Sequence, residues 1–463
     1  MPKNIVIIGA GSVAFTTGLV ADLVLTPDMG PWELRLVDID PDALDVAVGL
    51  SRRMVGLKGT EITVTGSTDR RDLLPGADVV VCTIAVGGRQ ARLLDVRIPR
   101  KYGVYQPVAD TVMAGGISRA MRMVPALVDI ARDFEDLCPE AWFFNYANPM
   151  AVNCWAVRRA TGVPMVGLCI GVHSVIRDLA KMIGAPVEEV TALYAGVNHL
   201  TFIYDLRWRG EDAWPLIRSR LAGESAADEG DADSQPDIPG GDTTLAPEDW
   251  VPARADNPFS WSLFDAYGAY PAVNDRHVVE FFPERFPQGG YYGKTLGVDA
   301  FALDAFVAHG DARFEQMRAW ASGDEPLDAG IFERRVGEHS KLLDILRSIY
   351  LDQRKLFAAN VPNGGSVPGL PPDAVLELPA VASASGLRPV QLADFPSDLT
   401  AVVERKLASI ELTVQAALTG DRDLMVEALL LDGSLSDPGA AKNLANELLE
   451  AHRLFLPQFF PAG

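Results

Sequence analysis

Four short clusters in this sequence hold residue types that could do chemistry together. They are N-Y-A-N-P-M at 145–150, G-L-C at 167–169, G-V-N-H-L at 196–200 and N-D-R-H-V-V-E-F-F at 274–282. Cys169 offers a thiolate and His199 an imidazole, a mixed pair that suits a borderline divalent metal such as Mn, Fe, Co, Ni or Zn. Two protein ligands leave coordination positions for substrate oxygens and water, as a catalytic metal requires. Asn148 precedes a proline, so its backbone must be extended and its amide can point into a crevice. Each residue alone has a plainer reading, Cys169 as a small buried hydrophobe and His199 as a satisfied core histidine. His173 falls about one helical turn beyond Cys169 in the run V-G-L-C-I-G-V-H-S-V. It either reaches a reacting group or merely caps or packs a helix.

The start of the chain carries a dinucleotide signature. After Asn4 the run I-V-I-I is apolar, as a strand buried on both faces would be. G-A-G-S-V-A at 9–14 then matches G-x-G-x-x-A between a strand and a helix. Gly9 and Gly11 allow a tight turn and a close approach to a pyrophosphate. Ser12 and Val13 open the helix whose N–H groups face that anion. Asp38 ends the next strand, placed to hydrogen-bond a ribose 2′-hydroxyl and to repel a 2′-phosphate, so NAD is expected over NADP. Thr83 to Arg89 (T-I-A-V-G-G-R) forms a further loop over the cofactor. The plainer alternative, turn glycines and a strand-end cap, leaves this context unexplained.

The elements that must position these residues alternate. Strands are predicted at 4–8, 33–37, 62–65, 78–83, 141–145 and 163–168, with helices at 12–25, 42–57, 117–136 and 150–160. That is α/β, a Rossmann-like doubly wound parallel sheet. From 166 the character changes. Residues 194–209 read as one strand of an antiparallel sheet. Beyond 295 the chain reads as mostly helical (296–320, 330–357, 396–419 and 437–455), with a Gly/Pro-rich connection at 360–373. The expected organisation is that of lactate and malate dehydrogenases: an NAD-binding domain over 1–165 and a mixed α+β domain over 166–463 for metal and substrate. Residues 222–247 are acidic and rich in small side chains, and read as a solvated mobile loop.

At 463 residues the chain is long enough for two intimate domains. Its formal net charge of −21 argues against nucleic acid and anionic membranes, while small anionic substrates stay open. No run of twenty apolar residues exists to span a membrane. The four cysteines form no C-x-x-C pair and the N-terminus does not resemble a signal peptide, so a reducing cytoplasm is expected.

The dinucleotide site alone would allow a 2-hydroxyacid or sugar dehydrogenase, with Arg89 and Arg92 for a carboxylate, or a non-catalytic NAD-binding sensor. The full set of motifs is more specific. V-I-I-G-A-G-S, L-V-D-I-D at 36–40, V-G-G-R at 86–89 and A-D-T-V-M-A-G-G-I-S-R-A-M-R at 109–122 are followed by N-Y-A-N-P-M, V-G-L-C, A-G-V-N-H-L, D-R-H-V-V-E-F and V-P-N-G-G at 361–365. In this order they resemble glycoside hydrolase family 4, the NAD- and divalent-metal-dependent glycosidases, over most of the chain. The resemblance implies NAD, a divalent metal with Mn(II) foremost, and a redox-neutral cycle outside two-carboxylate chemistry. In that cycle the sugar is oxidised at C3, loses its C2 proton, expels the C1 group, adds water and regains the hydride. It implies Cys169 and His199 as metal ligands and Asn148 as orienting sugar hydroxyls. For the C2 base, Asp275 is the first candidate and Tyr270 the second.

His277 is a substrate contact, a ligand or structural, and Glu280 is its candidate partner. Relatives place a polar residue after the cysteine, whereas here Ile170 cannot donate a proton, and His173 is the candidate replacement at the leaving oxygen. The run after Cys169 also lacks the C-x-x-P continuation of phosphosugar members. The branch acting on unphosphorylated α-glucosides, α-galactosides or α-galacturonides is therefore expected. Arg89, Arg119 and Arg276 are available for a sugar carboxylate. A homo-oligomer, dimer or tetramer, is expected by resemblance.

Overall fold

The computed structural model describes residues 3–223, 251–332 and 341–460. The acidic segment expected to form a loop lies almost entirely outside them. The first half runs β1 (Lys3–Ile8), α1 (Thr16–Leu25), β2 (Trp32–Val37), α2 (Pro41–Lys58), β3 (Thr63–Ser67), β4 (Val79–Cys82), α3 (Gly88–Arg100), α4 (Met113–Leu137), β5 (Trp142–Asn145), α5 (Met150–Thr161), β6 (Val166–Gly167) and α6 (Gly171–Met182). The six strands are parallel in the order β3-β2-β1-β4-β5-β6. This is the doubly wound order, and its reversal between β1 and β4 opens a crevice at the carboxyl ends of the strands. Ile5, Val6, Ile7, Val79, Val80 and Val81 are fully buried, which explains why these strands read as unbroken apolar runs. Local signals set the helix ends. Asp40 caps α2 by accepting from the Asp42 and Ala43 amides, with Pro41 in its first turn, and Gly59 ends it in the left-handed conformation.

The second half contains β7 (Val190–Val197), β8 (Leu200–Trp208), β9 (Glu211–Asp212), α7 (Trp214–Gly223), α8 (Pro258–Tyr267), β10 (Tyr270–Ala272), α9 (Asp275–Val278), β11 (Gly290–Tyr291), β12 (Lys294–Thr295), α10 (Leu303–Ser322), α11 (Leu342–Tyr350), β13 (Lys355–Pro362), β14 (Val375–Ser383), β15 (Gly386–Pro389), α12 (Ser397–Thr419), α13 (Arg422–Asp432) and α14 (Pro438–Ala451). Two expectations are corrected here. The single strand over 194–209 is a hairpin, β7 and β8, turning at Asn198-His199. Of the helix expected over 330–357, α11 is found and 333–340 lie outside the described residues, while from Lys355 the chain forms the antiparallel pair β13–β14. The runs L-F-A-A-N-V and V-L-E-L-P-A-V-A suit either state by local pattern, and pairing with the sheet decides them.

The antiparallel strands do not form a separate layer. β13 pairs with β6 through Asn360 and Gly167, and β14 pairs with β7 through Glu377 and Gly196, so one sheet runs across both halves. Gly167 makes the junction possible. A Cβ there would lie 2.7 Å from Met150 Cγ and 2.9 Å from Asn360 Cβ. The junction brings the turn after β7 to the same edge as the end of β6. On the outer face α12 packs against α4 and α5.

Candidate active site

A cleft of about 1360 Å³ opens at the carboxyl ends of the parallel strands. That exceeds the ~300–1,000 Å³ usual for one small ligand. One arm is built by the glycine turn. Gly9 has φ +92°, and a Cβ on it would meet the Ile84 amide nitrogen at 2.8 Å. Thr83 Oγ1 donates to the Gly9 carbonyl at 2.8 Å. The Gly11 amide donates to Asp38 Oδ2 at 2.8 Å, and a Cβ on Gly11 would approach that oxygen to 3.0 Å. Ser12, Val13, Asp38 and Thr83 all line this arm. The helix starts later than expected, at Thr16, because 12–15 forms a turn and Thr16 Oγ1 donates to the Ala10 carbonyl at 2.6 Å. The cradle fits a dinucleotide, with backbone N–H groups for the pyrophosphate and an oriented carboxylate for a ribose.

At the far end of this arm three side chains from distant segments converge. Asp110, His199 and His277 bring one potential ligand atom each to within 4.8 Å of one another. Asp110 comes from the loop before α4, His199 from the β7–β8 turn with φ +70°, and His277 from α9. The loop is held from behind by Glu280, which accepts from the Val108 and Ala109 amides at 2.7 and 2.9 Å. Ala109 and Met113 both sit at φ +57°, strain of the kind that collects at functional sites. Glu280 therefore pairs with this loop and not with His277.

The electrostatics suit a cation. Burial pushes the Asp110 carboxyl up, but neighbouring positive charge, Arg92 foremost, outweighs it and holds it well below the usual carboxylate range. Burial, then the neighbouring His199, pushes His277 well below its ordinary value, so its ring is neutral and can ligate. Thr111 Oγ1 lies 2.7 Å from both Asp110 Oδ1 and His199 Nδ1. An ionised Asp110 can only accept, so the threonine donates to it and receives the Nδ1 proton of His199. That tautomer puts the His199 lone pair on Nε2. His277 Nδ1 and Asn148 Oδ1 are buried with no hydrogen-bond partner among the described residues. One carboxylate and two imidazoles, with such unmatched acceptor atoms, fit a divalent cation.

The remaining expectations sort by position. Cys169 lines the cleft directly after β6, its Sγ accepting from the Gly171 amide at 3.3 Å, but it is not one of the three grouped residues. Asn148 lines the cleft with its Nδ2 3.4 Å from Asp110 Oδ2. Arg119 donates from Nε to the Asn148 carbonyl at 2.9 Å, and burial pushes its guanidinium down to about 10. Arg276 and Arg92 face the cleft, both stacked on Phe306. Tyr270 lines it too, its hydroxyl pushed well above the ordinary value by burial and by Asp275.

Two expected residues, Asp275 and His173, do not line the cleft. Asp275, the first candidate for the base, is fully buried and is not among the cleft-lining residues. Its two oxygens accept from the Phe259 and Ser260 amides, Ser260 Oγ and Tyr291 Oη at 2.5–2.8 Å, so it caps α8 from a distance. His173 lies off the face of α6 that lines the cleft. Burial, Lys341 and Arg177 push it down to about 4, so it is neutral and a poor proton donor. Arg89 lines the cleft and ion-pairs with Asp311 on α10. Asp110 is the residue that reading the sequence missed as a ligand. It stands in the quoted run A-D-T-V-M, but no local spacing ties it to His199 or His277.

Residues 4–185 match the model for family 4 glycosyl hydrolases, and residues 194–434 match that for the family's C-terminal domain. The chain belongs to family 4 of the glycosyl hydrolases. An alpha-galactosidase of Bacillus subtilis (strain 168) is 28% identical over 99% of this chain and its own full length. One from Rhizobium meliloti (strain 1021) is 30% identical over 98% of this chain and 89% of its own. Among solved structures, lplD from Bacillus subtilis gives a TM-score of 0.82 at 26% identity, covering 97% of this chain and 100% of that one. A 6-phospho-alpha-glucosidase from gut microorganisms, solved in complex with NAD and Mn2+, gives 0.83 over 99% and 100% of the two chains. At 19% identity that likeness shows the family 4 fold alone. Among the described residues no helix is long and apolar enough to cross a membrane.

Proposed function

We propose that this family 4 enzyme is an NAD- and Mn(II)-dependent glycosidase of unphosphorylated α-glycosides. α-Galacturonides come first, with α-galactosides and α-glucosides beside them. The observation that carries the reading is the convergence, in one cleft, of the dinucleotide cradle and the Asp110–His199–His277 group. Bound there, NAD⁺ and the cation supply transient oxidation at sugar C3 and acidify the C2 proton, so that the C1 group is eliminated, water adds and the hydride returns. The chain's own residues do the rest. Gly9, Gly11 and Asp38 hold the dinucleotide. Asp110, His199 and His277 hold the cation, with Cys169 on the adjoining wall. Asn148 orients the sugar hydroxyls and Tyr270 takes the C2 proton. Arg92 and Arg276, 4.9 and 4.6 Å from the Phe306 ring centre, offer cations to a uronide carboxylate. Relatives described as alpha-galacturonidases, one of them 30% identical, support that sugar class.

A panel of aryl α-glycosides with NAD⁺ and Mn²⁺, reading aglycone and NADH together, tests the proposal. Aglycone release without net NADH, and exchange of the C2 proton with deuterated solvent, are expected. Stoichiometric NADH would instead mark a dehydrogenase, and NAD binding without turnover a sensor. A cytoplasmic dimer or tetramer is part of the same proposal, and sedimentation tests the assembly.

A further inference from the structure

The chain beyond residue 434, where the match to the family's C-terminal domain ends, returns to the cleft. After α14 it makes a single turn over Arg453–Phe455 and packs down again. Leu456 and Phe459 are buried, and Gln458 Nε2 donates to the Met121 and Ala417 carbonyls at 2.7 and 3.3 Å. Phe455 lines the cleft with 38% of its surface exposed. Its ring lies against Gly87, where a Cβ would come within 3.1 Å of Phe455 Cε2. Gly87 and Gly88 have φ of +79° and +59°, in the loop that leaves β4 and starts beside the Gly9 turn. Two adjacent glycines open many conformations to this loop, so its neighbours must select one.

The same C-terminal turn reaches the loop by a second route. His452, just before it, is 1% exposed and places Nε2 2.9 Å from Asp95 Oδ1 on α3. Arg122 of α4 donates to the Asp95 carboxylate through both terminal nitrogens. Its Nε donates to the Val86 carbonyl at 2.9 Å. Ser118 Oγ donates to Asp95 Oδ1 at 2.8 Å. Burial raises the Asp95 carboxyl, but His452 and Arg122 outweigh it, so Asp95 is ionised and accepts. His452 therefore carries a proton on Nε2. A buried carboxylate, guanidinium and imidazole are costly to gather. Their outlet is the backbone of Val86, next to Gly87. We infer that the C-terminal turn belongs to the dinucleotide site. Phe455 forms a wall that touches the bound dinucleotide. His452, acting through Asp95 and Arg122, is a positioning residue for Val86-Gly87-Gly88. The inference rests on the dinucleotide reading of the cradle above.

Calorimetric titration of the full chain with NAD⁺, and separately with Mn²⁺ alone, tests this. Phe455→Ala should raise the NAD⁺ Kd about tenfold, as loss of an aromatic wall predicts, and leave the Mn²⁺ Kd within about twofold. His452→Ala should raise the NAD⁺ Kd about threefold or more, again with Mn²⁺ binding kept. His452→Gln, whose amide nitrogen can still donate to Asp95, should restore it. Phe455 is partly exposed, so its variant tests the site even where loss of the buried His452 ring unfolds the chain. An NAD⁺ Kd within about twofold of the unsubstituted chain in Phe455→Ala shows that the ring does not touch the dinucleotide and overturns the inference. A parallel loss of Mn²⁺ affinity in His452→Ala, or no rescue by glutamine, marks general loosening and overturns the positioning role. An unsubstituted chain that does not bind NAD⁺ overturns the dinucleotide reading and the inference with it.

Discussion

Two neighbours on α9 divide their work by direction. Asp275 turns into the protein and satisfies the first turn of α8, while His277 turns into the cleft. Asp275→Asn should therefore act on stability, costing about 2–3 kcal/mol in urea unfolding. C2 exchange per folded molecule should survive, and its loss at unchanged stability would reinstate Asp275 as the base. Tyr270→Phe should lower aglycone release about 10²–10⁴-fold. C2 exchange should vanish with it, while a single-turnover burst of enzyme-held NADH persists. Thr111 acts through His199 by fixing its tautomer. Thr111→Val should weaken Mn²⁺ binding about 10–100-fold by calorimetry, and Thr111→Ser should restore it. Equal affinity in the valine variant would mean that the threonine does not set the ligand.

At the scale of elements, the site depends on where segments end. The parallel strands deliver Thr83, Asn145 and Cys169 to one edge, and the β7–β8 turn brings His199 to the same edge only because β13 and β14 bridge β6 to β7. The bridge is tight at Gly167. Gly167→Ala should destabilise by about 1–3 kcal/mol, the cost of overpacking against Met150 and Asn360. It should also weaken Mn²⁺ binding, since the same junction brings the β7–β8 turn and His199 to the site. Full retention of both would show that the two halves of the sheet adjust independently. The clamp of Glu280 on Val108 and Ala109 is the counterpart on the other side, holding a strained loop so that Asp110 faces the histidines.

For the whole molecule, two buried carboxyls couple folding to pH. Burial raises Glu280 to about 8 and Glu377 to about 7, against an ordinary 4.5. Between about 4.5 and 8 the unfolded chain has released protons that the folded chain retains. The slope of unfolding free energy with pH is then negative. The stability these groups contribute is complete below 4.5 and is lost as pH rises through 7 to 8. Glu377 accepts from Thr201 Oγ1 at 2.6 Å, a bond that a glutamine carbonyl can keep. Glu377→Gln should thus flatten the fall in Tm between pH 5 and 8. An unchanged pH profile would mean that Glu377 is ionised in the folded protein.

The sequence by itself determined the parts that local structure writes. Gly9, Gly11 and Asp38 lie on one strand-turn-helix-strand unit, where turn geometry and a buried apolar run are legible residue by residue. The same holds for α2 and α12, whose predicted and observed spans nearly coincide. Only the tertiary structure decided which polar residues meet. Asp110, His199 and His277 are separated by dozens of residues, and their meeting follows from sheet pairings that no local period encodes. It also decided that Asp275 caps a helix, that His173 leaves the cleft face, and that 355–383 is a strand pair. In each case a distant partner outweighed a local pattern that allowed two answers.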